Sequence, residues 1–201
     1  MKRLLYIGIF TFLAQMLPAQ NSKQAEEILD KVITSLSNTN GIRIEFTGSE
    51  NGILFISQEK FQLKNNQIQS WYDGETQWTY IIDNEEVNIC IPSTEELQNI
   101  NPYLILKGYK KKFDYIYNGK HIRNGIHGHE IVLKSKELGK KELIRIFISN
   151  NNQPLGIKIE QNGHTVTEIN VIKYEINQRL TNDEFRFEKS NFPNAEIIDL
   201  R

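Results

Sequence analysis

His127-Gly128-His129 is the pair of side chains whose type and spacing come nearest to metal chemistry. Imidazoles two residues apart share one face of a strand, which suits zinc. No third ligand is predictable, and the pair flanks what reads as a Gly-rich turn, so surface histidines are the better reading. His121 and His164 fall in or beside turns. Cys90, the single cysteine, sits in the strand-like run Val87-Asn88-Ile89-Cys90-Ile91 and reads as a packed small hydrophobe rather than a nucleophile. There is no Gly-x-Ser-x-Gly elbow, no His-Glu-x-x-His and no paired-cysteine signature. The acidic residues are scattered, with no two assignable to glycosidase separation. No catalytic residue, metal or cofactor is expected, and the chain reads as a binder rather than an enzyme.

The aromatics hint at what is bound. Phe55, Phe61, Trp71, Tyr72, Trp78 and Tyr80 fall on successive expected strands, with Tyr103 on a helical insert. They fill either a core or the concave face of a curved sheet, which amphipathic helices would turn into an apolar pocket.

The elements that would position them follow from periodicity. Ala25, Ile28, Leu29, Val32, Ile33 and Leu36 form one stripe at helical spacing and predict a helix over 22–38, capped by Asn21 or Ser22 and ended by Asn40-Gly41. From Gly41 the period becomes two. Short strands at 42–47, 53–56, 61–63, 68–72, 78–82 and 87–91 are joined by Asx and Gly turns, an antiparallel meander. Pro92 stops it. Ser93 caps a short helix over Glu95–Ile100, and Asn101-Pro102 opens another through Leu106. Strands resume at 113–117, 130–134, 142–148, 155–161 and 165–176. In the last, Ile169 and Val171 share one face while Ile172, Tyr174 and Ile176 share the other, a phase change that predicts either a bulge or a strand curving from one packing environment to another. About ten strands and two helical pieces give an α+β, mainly antiparallel fold: a strongly curved, incomplete β-barrel with a helical lid.

Lys2-Arg3, the short apolar run Leu4–Ala14 and then Leu17-Pro18-Ala19-Gln20 make residues 1–20 a secretory signal peptide. That predicts export and, after cleavage, one soluble domain over 21–201; the lesser alternative is that Lys2 to Leu13 stays as an uncleaved anchor. The formal net charge of −1 becomes −3 (−1 − 2) once Lys2 and Arg3 are lost, which gives nucleic acid no purchase. Lys110-Lys111-Lys112 reads as a solvated edge, or else a docking point for an acidic partner or lipid surface.

Asn51-Gly52-Ile53-Leu54, Lys60-Phe61-Gln62-Leu63, Tyr72-Asp73-Gly74-Glu75-Thr76-Gln77-Trp78-Thr79-Tyr80 and Val87 resemble, in that order, the core pattern of bacterial outer-membrane lipoprotein carriers, the LolA-like proteins. Leu180–Phe187, Pro193 and Glu196–Leu200 are similar to the terminus of the Bacteroides-type version. The resemblance implies a carrier that shields lipoprotein acyl chains, taking cargo from an inner-membrane releasing transporter to an outer-membrane receptor, as a monomer and without covalent chemistry. It implies a lipid cavity formed by Leu54, Phe61, Leu63, Trp78 and Tyr80. The lid would comprise Ile28, Leu29, Val32, Ile100, Tyr103 and Leu104. It also puts Phe61 near the cavity mouth, where Phe61→Glu would leave a stable, transfer-defective protein, while alternation with Gln62 equally allows a plain core position. The family's Arg-Pro latch is replaced by Ser57-Gln58-Glu59. That departure keeps open a periplasmic lipid- or lipoprotein-sensing regulator of the same fold.

Overall fold

A computed structural model describes the chain from Met16 to Arg201 apart from Asn101 and Lys107, leaving aside the side chains of residues 16–19, Glu95, Asn99, Ile100, Pro102 and Tyr103. Most of the expected leader thus lies outside the described residues. The long helix α1 spans Met16–Ser37. Its end matches expectation, but its start does not, because the backbone runs helically through the expected caps Asn21 and Ser22. Pro18 sits in the first turn, where its missing N–H is not needed.

Six short strands follow: β1 (Ile42–Gly48), β2 (Gly52–Ser57), β3 (Lys60–Asn65), β4 (Ile68–Tyr72), β5 (Gln77–Ile81) and β6 (Glu86–Cys90). Side-chain oxygens shape the turns between them. Asn65 Oδ1 accepts from the amides of Gln67 and Ile68 at 2.8 and 2.7 Å. Asp73 Oδ1 accepts from those of Glu75 and Thr76 at 3.1 and 3.0 Å. Helix α2 (Thr94–Ile100) opens on a capping box, with Ser93 Oγ accepting from the Glu96 amide and the Glu96 carboxylate accepting from the Ser93 amide. A 3₁₀ turn (Pro102–Leu106) and the short α3 (Tyr109–Lys112) lead to β7 (Phe113–Arg123), β8 (Ile126–Ser135), β9 (Glu142–Ser149), β10 (Pro154–Gln161) and β11 (His164–Ile176). After two 3₁₀ turns, β12 (Glu196–Asp199) ends the described elements.

The strands hydrogen-bond in the order β12-β6-β5-β4-β3-β2-β1-β11-β10-β9-β8-β7, an open sheet with β12 and β7 at its edges. The expected class, α+β with a mainly antiparallel, unclosed sheet, is the one adopted. Twelve strands are described rather than about ten, and β12 pairs parallel with β6. β7 also runs past its expected end at Tyr117, because the ladder absorbs Asn118-Gly119 as an irregularity with Gly119 at φ 107°. The predicted bulge in β11 is present. Glu45 faces Lys173 and Phe46 faces Val171, leaving Ile172 as the extra, exposed residue.

The chain forms two compact units. One joins the helix up to Val32 with Tyr109–Val166; the other joins Ile33–Gly108 with Thr167–Arg201.

Candidate functional site

In the second unit, cross-strand register sorts side chains onto two faces, because residues directly opposite in a ladder point the same way. Ile44 faces Leu54, Leu54 faces Leu63, Ile42 faces Ile56, Ile56 faces Phe61, and Phe61 faces Tyr72. These residues and Val171 form one buried apolar cluster. The Phe61 and Tyr72 rings stack tilted at 5.5 Å. From outside the sheet, its covers are Leu36 near the end of α1 and Leu97 of α2, both only half-buried. On the other side of β1, Arg43 pairs with Glu45 and Glu175, at 2.5 and 2.8 Å, facing water.

The apolar face ends in polar side chains. Leu63 faces Ser70, Ser70 faces Thr79, and Tyr72 faces Gln77. Gln77 Nε2 donates to Ser70 Oγ at 3.2 Å and to Thr79 Oγ1 at 3.0 Å. Ser70 Oγ lies 3.1 Å from Thr79 Oγ1 and donates to the Trp78 carbonyl at 3.2 Å. Ser70 is fully buried and Gln77 is 6% exposed. This network escaped sequence reading, although polar Gln77 and Thr79 alternating with Trp78 and Tyr80 was its visible signal.

The five expected cavity residues therefore do not share a face. Leu54, Phe61 and Leu63 stand together, whereas Trp78 faces Trp71 and Ile89, and Tyr80 faces Val87, on the reverse side. The grouping of Trp78 and Tyr80 with the other three is corrected by the odd-even parity of β5. On that reverse side the chain's own late residues form the cover. Phe192 meets Trp71 at 5.6 Å and Tyr80 at 4.6 Å, Phe187 meets Trp71 at 5.7 Å, and Ala195 is buried with Val87 and Ile89. Phe61 is also corrected: it is fully buried in the cluster rather than exposed at a mouth, because even parity with Leu63 turns it inward.

Of the expected lid, Ile28, Leu29 and Val32 are buried in the first unit. Leu104 is half-buried, and its neighbours Ile105 and Leu106 are the buried pair. Ile100 and Tyr103 lie outside the residues whose side chains are described. The polar side of α1 is held by a clamp that the sequence did not reveal. Tyr109 Oη donates to Asp30 at 3.0 Å, Tyr115 Oη donates to Glu26 at 3.0 Å, and Lys110 Nζ donates to both carboxylates, at 2.7 and 2.8 Å. The bonds from Lys110 and Tyr115 hold the Glu26 carboxyl below its ordinary range. Burial first, and then Asp30, push the Tyr109 phenol up. Lys110 is thus engaged rather than a free docking charge.

Where the family latch would lie, Gln58 turns the β2–β3 hairpin at φ 57°, and Ser57 Oγ donates to the Asn40 carbonyl at 3.1 Å. His127 and His129 sit on β8 rather than around a turn. Gly128 between them is buried mid-strand, where an added Cβ would lie 2.1 Å from the Ile148 carbonyl oxygen. His129 Nδ1 lies 3.2 Å from Tyr117 Oη. Among the described residues no His, Cys, Asp and Glu cluster could hold a metal. Burial raises the Cys90 thiol. An open groove of about 860 Å³ near the late residues is lined by carboxylates such as Asp73, Glu75 and Asp183 together with Arg186 and Arg201, and is polar rather than apolar. No described helix is long and apolar enough to cross a membrane.

The sequence model of a family described as outer membrane lipoprotein carrier protein LolA matches residues 16–163. A search of curated protein sequences gives no match. Among solved structures, an uncharacterized conserved protein from Thermus thermophilus is similar in fold. Its TM-score is 0.62 at 15% identity, over 88% of this chain and 99% of that one. The MucA/MucB complex of Pseudomonas aeruginosa gives 0.46 at 10% identity, over 82% and 61%. A putative outer membrane lipoprotein-sorting protein domain from Vibrio parahaemolyticus gives 0.34 at 10%, over 82% and 97%. Of these three, the first alone is close enough to speak for the fold.

Proposed function

The chain belongs to the family of outer membrane lipoprotein carrier proteins, the LolA family, and from that membership we propose that it is a periplasmic carrier that shields lipoprotein acyl chains and delivers lipoproteins to the outer membrane. One observation carries the reading. The apolar face around Leu54, Phe61 and Leu63 is roofed, among the described side chains, by half-buried Leu36 and Leu97 rather than by a second sheet. A roof of two helical side chains moves at small cost. An acyl chain entering beneath it gains about 0.8 kcal/mol per buried methylene.

The residues assigned to the cavity are Leu54, Phe61 and Leu63, with Leu36 and Leu97 as their cover. Trp78 and Tyr80 leave the assignment because they occupy the reverse face. Residues 21–201 act as one carrier domain after removal of the leader. No covalent chemistry is required, only binding and release. The partners are acylated lipoproteins, an inner-membrane lipoprotein-releasing transporter and an outer-membrane receptor, with the carrier itself monomeric.

The test is to purify the protein from periplasm and identify bound cargo by mass spectrometry, while depleting it in cells. Retained triacylated lipoproteins, and outer-membrane lipoproteins stranded in the inner membrane on depletion, are expected. Protein that never retains acylated cargo, even with a trapped lid, would sink the reading. Depletion that alters only stress-gene output would favour a sensing regulator instead.

A further inference from the structure

The polar end of the apolar face has a free acceptor. Ser70 has one hydroxyl proton, and the 3.2 Å contact with the Trp78 carbonyl takes it. Its 3.1 Å contact with Thr79 therefore needs the Thr79 proton. With both hydroxyl protons committed, the Gln77 group facing the two oxygens must be the donor, Nε2. The amide orientation is fixed by this count, and Oε1 is left as the outward end. Among the described residues Oε1 has no donor, although Gln77 is 6% exposed. No described side-chain polar atom is both sealed from solvent and unpartnered, so Oε1 retains a narrow opening to its surroundings. A lone acceptor this confined is costly unless a donor reaches it.

Its position narrows the donor. Tyr72, which stacks on Phe61, is directly opposite Gln77, so the apolar cluster and the acceptor are one strand spacing apart, about 4.8 Å. A ligand whose acyl chain lies along Phe61 and Leu63 would bring the group joining chain to head to this point. Ester linkages carry no proton and offer Oε1 nothing. A secondary amide does.

We propose that Gln77, braced by Ser70 and Thr79, accepts a hydrogen bond from the secondary amide N–H at the polar end of an N-acylated lipid and so selects amide-linked acyl cargo over ester-only lipid. This rests on the carrier reading and deepens it. Ser70 and Thr79 are positioning residues, since they hold the Gln77 amide and do not themselves meet the ligand.

The experiment is displacement of a fluorescent fatty acid from the full chain by two synthetic ligands. These are a tripalmitoylated cysteinyl lipopeptide and its analogue methylated on the N-acyl amide nitrogen, which keeps the chains and removes the proton. The wild-type protein should bind the N–H ligand about tenfold more tightly, the scale of one hydrogen bond. In Gln77→Met, of similar volume, the ratio should fall to about one. Equal binding of the two ligands by wild type overturns the inference and leaves the carrier reading standing, as does a preference that survives in folded Gln77→Met. Displacement by neither ligand overturns both. Should Gln77→Met fail to fold, the wild-type ratio alone decides.

Discussion

The two faces of this sheet each carry an apolar cluster, around Phe61 on one and around Trp71 on the other, yet these are closed by different means. On the reverse face Trp71, Trp78 and Tyr80 meet Phe187 and Phe192 in edge-on and tilted contacts, while β12 is hydrogen-bonded into the sheet beside β6. Aromatic packing and a backbone ladder together make a fixed seal. On the front face, Ile44, Leu54, Phe61 and Leu63 have only half-buried Leu36 and Leu97 over them among the described side chains. The contrast is between a cover of aromatic rings joined to a backbone ladder and a cover of half-buried leucines.

The strongest challenge is Phe61→Glu. A carboxylate in a fully buried cluster without a partner should cost at least about 3 kcal/mol, lowering the melting temperature by about 10 °C in a chain of this size. A normal melt would show that the front face opens freely enough to hydrate the introduced carboxylate, and would restore Phe61 to the mouth. Next, Phe192→Ala should lose about 2 kcal/mol, because three aromatic contacts vanish with the ring. Tryptophan emission should shift to the red while acyl binding is retained. Loss of binding with an unmoved emission would mean the seal and the cavity have been assigned to the wrong sides.

Leu97→Ala should cost only about 1 kcal/mol, since its side chain is only half-buried. It should nonetheless speed exchange of a bound fluorescent fatty acid, measured by stopped flow; an unchanged rate would remove Leu97 from the roof. The smallest effect is electrostatic. Burial draws the Asp73 carboxyl upward, but the amides of Thr76 and Glu75 and the Arg186 guanidinium at 3.0 Å outweigh it and hold it below the ordinary value. A depressed carboxyl contributes stability above its unfolded pKa of about 3.9 and loses it as pH falls through the lower folded value. The reverse-face emission should therefore loosen below about pH 4 in wild type and not in Asp73→Asn.

The meander was legible because each strand pairs with its neighbour and its turns carry their own Asx and Gly chemistry, as at Asn65 and Asp73. The bulge at Ile172 was legible as a break in phase. Parity within β5 carried the face assignment too: Gln77 and Thr79 alternate with Trp78 and Tyr80, and only pairing with β4 decides which set lies beside Leu63. The seal was harder. Phe187 and Phe192 lie in irregular chain far from Trp71, and no local pattern marks where such a segment docks. The clamp on α1 was hidden for the same reason, since Glu26 and Asp30 read as an ordinary solvent face until Tyr109 and Tyr115 arrive from a distant stretch.

The parallel register of Glu196 with Glu86 joins residues 110 apart (196 − 86). Closing so long a loop is slow relative to hairpin formation, so β6 is expected to pair with β5 before β12 arrives and until then to present an unpaired edge. Such an edge accepts any compatible strand, including residues 196–199 of a second copy. Refolding at high concentration should therefore yield swapped dimers that dilute refolding avoids, and Ile198→Pro should deny the edge its strand in either arrangement.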